Sequence, residues 1–116
     1  MKTYCGGCHC GAVRYEVDMD LDTVMECNCS HCAKKGFLLA FVPASQFRLL
    51  SGEGDLAEYR FNKKKVAHLF CKHCGVQSFG RGQNKAGEPT VAVNVRCLDD
   101  VDPAALTVTK IDGRSF

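Results

Sequence analysis

The chain contains the run Cys71-Lys72-His73-Cys74-Gly75, and this short stretch decides which fold to expect. Two cysteines at this spacing, followed by glycine, are typical of a zinc knuckle. In such a turn backbone N–H groups donate to the sulfurs, and glycine permits the tight geometry. A knuckle supplies two ligands, whereas a structural zinc site takes four. Two more sulfurs must therefore come from elsewhere in the chain.

A second pair of cysteines lies near the start of the sequence. Cys8 and Cys10 are flanked by Gly6, Gly7 and Gly11 and can complete a four-sulfur site with the knuckle. Such a site would join the first strand to a later hairpin, and a small β-rich chain gains much stability from a metal that ties distant segments together. The alternative is that the glycines simply mark a turn and the sulfurs are buried thiols.

A third group of cysteines lies in the run Cys27-Asn28-Cys29-Ser30-His31-Cys32. Three sulfurs so close together can surround one zinc ion and leave its fourth position for water or an incoming thiol. The clustered cysteines then divide as four plus three, which predicts two zinc ions per chain, one structural and one open. A fourth protein ligand would close the second site, and the candidates are Cys97, Cys5 and His31.

Composition favours metal over disulfides. The cysteine count is nine, which is odd, and the first residues include no apolar stretch of the signal-peptide type. Clustered thiols therefore indicate metal binding in a reducing compartment, and we expect a soluble, cytoplasmic protein. The net charge of +2 gives no strong attraction to nucleic acid or membrane, and no apolar run reaches membrane-spanning length. The oligomeric state is left open.

Hydrophobic patterning indicates a mainly β protein. Alternating or continuous apolar segments predict strands at 13–17, 37–42, 56–61, 66–71 and 90–96. Two short helical turns are expected, at 43–47 and at 102–106, where Asp102 precedes a proline. No linker or repeat divides the chain, so residues 1–116 are predicted to form a single zinc-binding domain.

Histidines and basic residues are secondary candidates. His68 alternates with Val66 and Phe70 in a predicted strand and is expected to be a packed residue rather than a ligand. Two interpretations are open for the basic residues, a solvated surface or a site for an anionic ligand; the candidates are Lys34, Lys35, residues 63–65 and Arg81.

The residues described so far resemble the glutathione-dependent formaldehyde-activating enzyme family, which also includes centromere protein V. The resemblance rests on four stretches in family order, at 6–15, 27–32, 70–75 and 93–98. It implies an Mss4-like fold, with several short antiparallel sheets assembled around zinc. It also implies a structural zinc on Cys8, Cys10, Cys71 and Cys74, and a second zinc on Cys27, Cys29 and Cys32.

In the family's namesake the second zinc is associated with glutathione and with formation of S-hydroxymethylglutathione. The resemblance therefore implies that Cys27, Cys29 and Cys32 are the catalytic residues of a zinc-dependent carbon–sulfur lyase acting on glutathione or a related small thiol. The alternatives are a non-catalytic zinc-binding module, for a protein partner or for thiol carriage, and a redox switch that releases zinc on oxidation. Cys5 is an additional thiol beside the first motif and could compete for zinc or pair with Cys8.

Overall fold

The computed structural model describes residues 1–21, 23–60 and 66–111, and only the backbone of Thr23. Within these ranges the chain forms ten strands and one α-helix. Their order is β1 (Lys2–Gly7), β2 (Arg14–Met19), β3 (Thr23–Cys27), α1 (Ser30–Lys35), β4 (Leu39–Pro43), β5 (Phe47–Ser51), β6 (Leu56–Tyr59), β7 (Ala67–Cys71), β8 (Phe79–Gln83), β9 (Pro89–Asn94) and β10 (Thr107–Ile111). The mainly β class expected from the sequence is confirmed.

The strands form two sheets. The smaller sheet has the order β1-β2-β5, and the larger has the order β10-β3-β4-β9-β8-β7-β6. Every pairing between these strands is antiparallel except that of β3 with β10, which is parallel. This pair departs from the expected antiparallel arrangement because β10 reaches the sheet edge after a long connection rather than through a hairpin.

Most predicted strands are present, with shifted ends. Tyr15 and Val17 of β2 are fully buried, as their alternation predicts. The apolar run at 37–42 enters its strand only at Leu39, and Phe41 in that strand is 49% exposed because it lies on the outer face of the sheet. The strand predicted at 56–61 ends at Tyr59. Residue 61 and the basic turn at 62–65 lie outside the described residues.

The sequence analysis missed helix α1. Its C-terminal signals were present, since Lys34 and Lys35 occupy the last turn and Gly36 ends the helix with a φ of 70°. The two expected helical turns are confirmed as 3₁₀ turns, Ala44–Gln46 and Pro103–Ala105. No helix in the described ranges is long and apolar enough to cross a membrane.

One hydrophobic cluster joins the two sheets. The ring of Tyr15 in β2 lies 4.9 Å from that of Phe47 and 5.8 Å from that of Phe79 in β8, measured between centroids. The buried Tyr15 hydroxyl donates to the backbone oxygen of Ser78, with 3.1 Å between the two oxygens. Because Ser78 follows the knuckle by a few residues, this bond ties the smaller sheet to the knuckle segment.

Replacing Gly52 with alanine should destabilise the fold. Gly52 has a φ of 91°, and a Cβ there would lie 2.4 Å from the Ala12 oxygen and 2.7 Å from the Val13 Cα. Both neighbouring atoms are backbone, so relief requires moving the segment after Cys10. We expect a loss of roughly 2–4 kcal/mol and a melting temperature lower by roughly 10 °C, measured by thermal unfolding. Gly54→Ala is the matched control because a Cβ there meets nothing within 4 Å, and an equal effect of both variants would contradict the explanation.

Candidate functional site

The structure brings four sulfurs together from opposite ends of the chain. The Sγ atoms of Cys8, Cys10, Cys71 and Cys74 all lie within 4.8 Å of one another. The Sγ of Cys10 lies 3.7 Å from that of Cys8 and 3.7 Å from that of Cys71. Zinc–sulfur bonds of about 2.3 Å in a tetrahedron require sulfurs about 3.8 Å apart. The donor set and its spacing therefore fit a tetrahedral metal ion.

Backbone N–H groups prepare two of these sulfurs, those of Cys8 and Cys74, to carry negative charge. The backbone N–H groups of Val76 and Cys10 donate to Cys74 and lower the pKa of its thiol to about 6. Burial raises the pKa of Cys8, but the Val13 N–H, with its nitrogen 3.3 Å from the sulfur, helps to bring that pKa below its ordinary value. Thiolates are the form that binds metal, so the local backbone favours the ligand state.

The knuckle is fixed by its own turn and by the segment before β6. Gly75 has a φ of 79°, as the tight turn requires. The His73 Nε2 lies 2.7 Å from the Asp55 carboxylate, and the backbone N–H of Lys72 donates to the Asp55 backbone oxygen at 2.9 Å. The imidazole of His73 thus contacts the Asp55 carboxylate, and the four sulfurs form the donor set without it.

A second sulfur group lies where β3 ends and α1 begins. The Sγ atoms of Cys27, Cys29 and Cys32 lie within 4.8 Å of one another. Cys29 is the N-cap of α1, and its sulfur accepts from the Cys32 backbone N–H, 3.3 Å away. Burial raises the pKa of Cys32, whereas for Cys29 that effect is outweighed by this N–H and by the neighbouring thiols, which lower its pKa. A cation bound between these three sulfurs would stabilise their deprotonated form, so the three thiols are a suitable donor set for a metal ion.

None of the three candidates for a fourth ligand joins this group in the described part of the chain. Cys97 lies near the first sulfur group: burial, followed by the charges of Cys8 and Cys74, raises the pKa of its thiol to about 11. Cys5 is exposed on β1, in the smaller sheet. The ring of His31 packs against other rings. All nine cysteines are free thiols, so the disulfide alternative is not adopted.

Aromatic rings and lysines surround an open pocket beside the second group. The pocket has a volume of about 350 Å³ and is lined by Ser30, His31, Lys34, Lys35 and Tyr59. The ring of His31 stacks on that of Tyr59 at 5.6 Å between centroids. Sequence analysis missed Tyr59, because nothing in its strand pattern distinguishes it from a surface residue.

His68 lies on the same face of the larger sheet as Tyr59. Cross-strand pairing gives the row Tyr59, His68, Gly80, Ala92 and Phe41 across five strands. The His68 ring lies 4.3 Å from that of His31, and burial lowers the pKa of His68 to about 4. His68 is therefore a packed neutral residue, as predicted, and it packs against the helix that carries the second sulfur group.

The basic residues considered as anion-binding candidates lie in different parts of the structure. Lys34 and Lys35 line the pocket. Arg81 lies over the ring of Phe79, 5.5 Å from its centroid, on the face of the sheet opposite to α1. Residues 63–65 lie outside the described part of the chain.

The segment after β9 connects the two sulfur groups. The Asn94 side-chain amide donates to the Gln77 oxygen at 2.9 Å, just beyond the knuckle. The Arg96 Nε donates to the Gly36 oxygen at 3.1 Å, and the Val95 N–H donates to the Leu38 oxygen at 2.8 Å, both just beyond α1. This structural role of residues 94–96 was missed, since the sequence pattern identifies them only as the end of a strand.

The fold and the two sulfur groups define a mainly β protein that can hold metal ions through clustered thiols. The family model for the glutathione-dependent formaldehyde-activating enzyme matches residues 3–111, and the chain belongs to that family. The resemblance expected from the four sequence stretches is thereby confirmed. The structure is also similar to a crystal structure of a Rhodobacter sphaeroides protein, with a TM-score of 0.76 and 31% identity over 90% of this chain and 99% of that one.

Proposed function

We propose that the protein is a zinc-dependent carbon–sulfur lyase that makes and breaks adducts of formaldehyde with glutathione or a related small thiol. In the forward direction the thiol loses its proton, its sulfur bonds to the carbonyl carbon, the carbonyl π electrons move to oxygen, and a proton returned to that oxygen completes the hydroxymethyl thiohemiacetal. The reverse reaction breaks the same carbon–sulfur bond. The single observation that carries this proposal is the three-sulfur group of Cys27, Cys29 and Cys32 at the start of helix α1, whose exposed residues line an open pocket.

In this proposal one sulfur group binds a structural metal ion and the other binds a catalytic one. Cys8, Cys10, Cys71 and Cys74 would hold a structural zinc, which needs four protein ligands. Cys27, Cys29 and Cys32 would hold a second zinc as the catalytic residues. Zinc bound by three thiolates would supply a position for the substrate thiol and lower the pKa of that thiol, so that its thiolate is present at neutral pH.

The chain's own residues hold and shield the substrate thiol. The buried side chains of Phe37 and Leu39 pack around Cys32 and limit access of water from the sheet side. Ser30 and His31, which lie between the sulfurs in sequence, form the near wall of the pocket. The substrate would therefore enter along the exposed side of α1. Free thiols throughout the chain favour a reducing compartment such as the cytoplasm, with residues 1–116 acting as one zinc-binding domain.

Native mass spectrometry with millimolar glutathione tests this function, combined with NMR exchange between glutathione and its formaldehyde adduct. We expect two zinc ions per chain, one bound glutathione, and exchange that is faster than the uncatalysed reaction. If the protein holds two zinc ions but neither binds glutathione nor accelerates the exchange, the proposed enzymatic function is wrong.

The alternative is a non-catalytic zinc-binding module for a protein partner. The exposed rings of Phe41 and Tyr59, which lie in one row on the face that carries α1, are the apolar surface that such a partner would contact. It predicts the same two zinc ions but no bound thiol, so the same measurement separates the two functions.

A further inference from the structure

The pocket beside α1 is built from one side of a helix and one strand. Ser30, His31, Lys34 and Lys35 lie on one helix face, because positions four apart are neighbours on a helix surface. Tyr59 of β6 forms the opposite wall, with its ring stacked on His31. An aromatic wall facing two ammonium groups is suited to a small ligand with both apolar and anionic parts.

The charge of this pocket is positive. Lys34 and Lys35 contribute two cations, and in the described ranges neither lysine lies within salt-bridge distance of a carboxylate. The nearest acidic residue in sequence to the pocket wall is Glu58, which forms an ion pair with Arg60. The lysine pair thus remains available for an external anion.

The lysines lie about one and a half helical turns beyond Cys29 along the axis of α1. A helical rise of about 1.5 Å per residue separates Lys34 from Cys29 by about 7.5 Å along the axis. A residue spans at most about 3.5 Å, so a carboxylate two residues from a thiol held at the three sulfurs can lie about 7 Å from it, where the flexible four-carbon stems of the lysines can meet it.

We propose that Lys34 and Lys35 form a carboxylate subsite that makes the protein selective for thiols carrying a carboxylate about one to two residues from the sulfur. This inference rests on the proposed function for the identity of the thiol site. In this arrangement Lys34 and Lys35 determine specificity, while Tyr59 forms the wall against the ligand's apolar atoms. Because the lysines are exposed, the selectivity should weaken as salt is added.

The test compares glutathione with its diethyl ester, which keeps the thiol and lacks both carboxylates. For the zinc-loaded wild type we expect the ester to bind roughly tenfold more weakly, the scale of one charge-assisted contact. The variant K34A/K35A should bind the two thiols equally. Lys85→Ala, which removes an exposed lysine from the turn between β8 and β9, should keep the full preference. Equal binding of both thiols by the wild type, or a preference that survives in K34A/K35A, would overturn the subsite.

S-methylglutathione separates this inference from the proposed function, because it has both carboxylates and no free thiol. We expect it to shift the backbone amide NMR signals of positions 34 and 35 in the wild type, and to leave the signals of the same two positions unchanged in K34A/K35A. Shifts at these amides without any catalysed exchange would reject the lyase and retain the subsite. Catalysed exchange that is indifferent to esterification, with no such shifts, would retain the lyase and reject the subsite.

Discussion

Replacing Cys71 with serine should abolish cooperative folding. Cys71 is fully buried in the hydrophobic cluster, and its sulfur lies 3.7 Å from that of Cys10, a residue 61 positions away. Structural zinc contributes roughly 10–16 kcal/mol in small zinc-binding peptides, which is comparable with the whole stability of a small domain, about 5–15 kcal/mol. Serine is a poor zinc ligand, so the variant should lose both the metal proposed for this site and the link between the two ends of the fold.

Near-ultraviolet circular dichroism and thermal unfolding measure this loss. The wild type should unfold in a cooperative transition on heating. The Cys71→Ser variant should lack the native near-ultraviolet signal already at 25 °C and show no transition. Cys5→Ser is the matched control, because Cys5 is exposed and belongs to neither sulfur group. A Cys71→Ser variant that melts like the wild type would show that the four-sulfur group is not a structural metal site.

Replacing Cys29 with alanine should remove activity while the fold survives. Cys29 belongs to the three-sulfur group between β3 and α1, and the main cluster that joins the sheets does not include it. The variant should keep one zinc instead of two. Catalysed exchange should fall by roughly a thousandfold or more, the scale of several kcal/mol that a metal supplies to a reaction.

Cys29 also caps helix α1, so a second variant separates the two roles. Cys29→Ser restores an acceptor for the Cys32 N–H and should recover the roughly 1 kcal/mol that a helix cap contributes. It should not recover the second zinc or the exchange, as measured by metal analysis and NMR. An unfolded alanine variant, or a serine variant with wild-type activity, would contradict the assignment of Cys29.

Local patterns predicted the fold class well. The alternation at 13–17 corresponds to a real strand, and that at 90–96 does so as far as Asn94, after which Val95–Cys97 form a 3₁₀ turn. Asp102 caps its short turn as expected, with its carboxylate accepting from the Ala104 N–H at 3.0 Å. Helix α1 was not predicted because six residues carry too little periodicity. The parallel pairing of β3 with β10 depends on a contact between distant segments, which local patterns do not encode.

The grouping of the sulfurs was also predictable, since spacing limits which thiols can meet. Their roles as ligands and catalytic residues stay predictions. Tyr59 and Arg96 could not be assigned from sequence, because each acts through a contact with residues far away in the chain: Tyr59 stacks on His31, and Arg96 donates to Gly36. Such contacts are set by how the sheets assemble and leave no periodic signal.

The two sulfur groups differ in how much chain they enclose, and this difference sets an order of events during synthesis. Cys29 and Cys32 are three positions apart, whereas Cys10 and Cys71 are 61 apart. Closing the longer loop costs roughly 2–3 kcal/mol more in chain entropy. The short group can therefore capture its metal as soon as residue 32 leaves the ribosome, on a chain that has not folded. Metal bound equally by folded and unfolded chains adds nothing to folding stability, so we expect the later, long-range site to be the one that stabilises the fold and the earlier one to be free for chemistry.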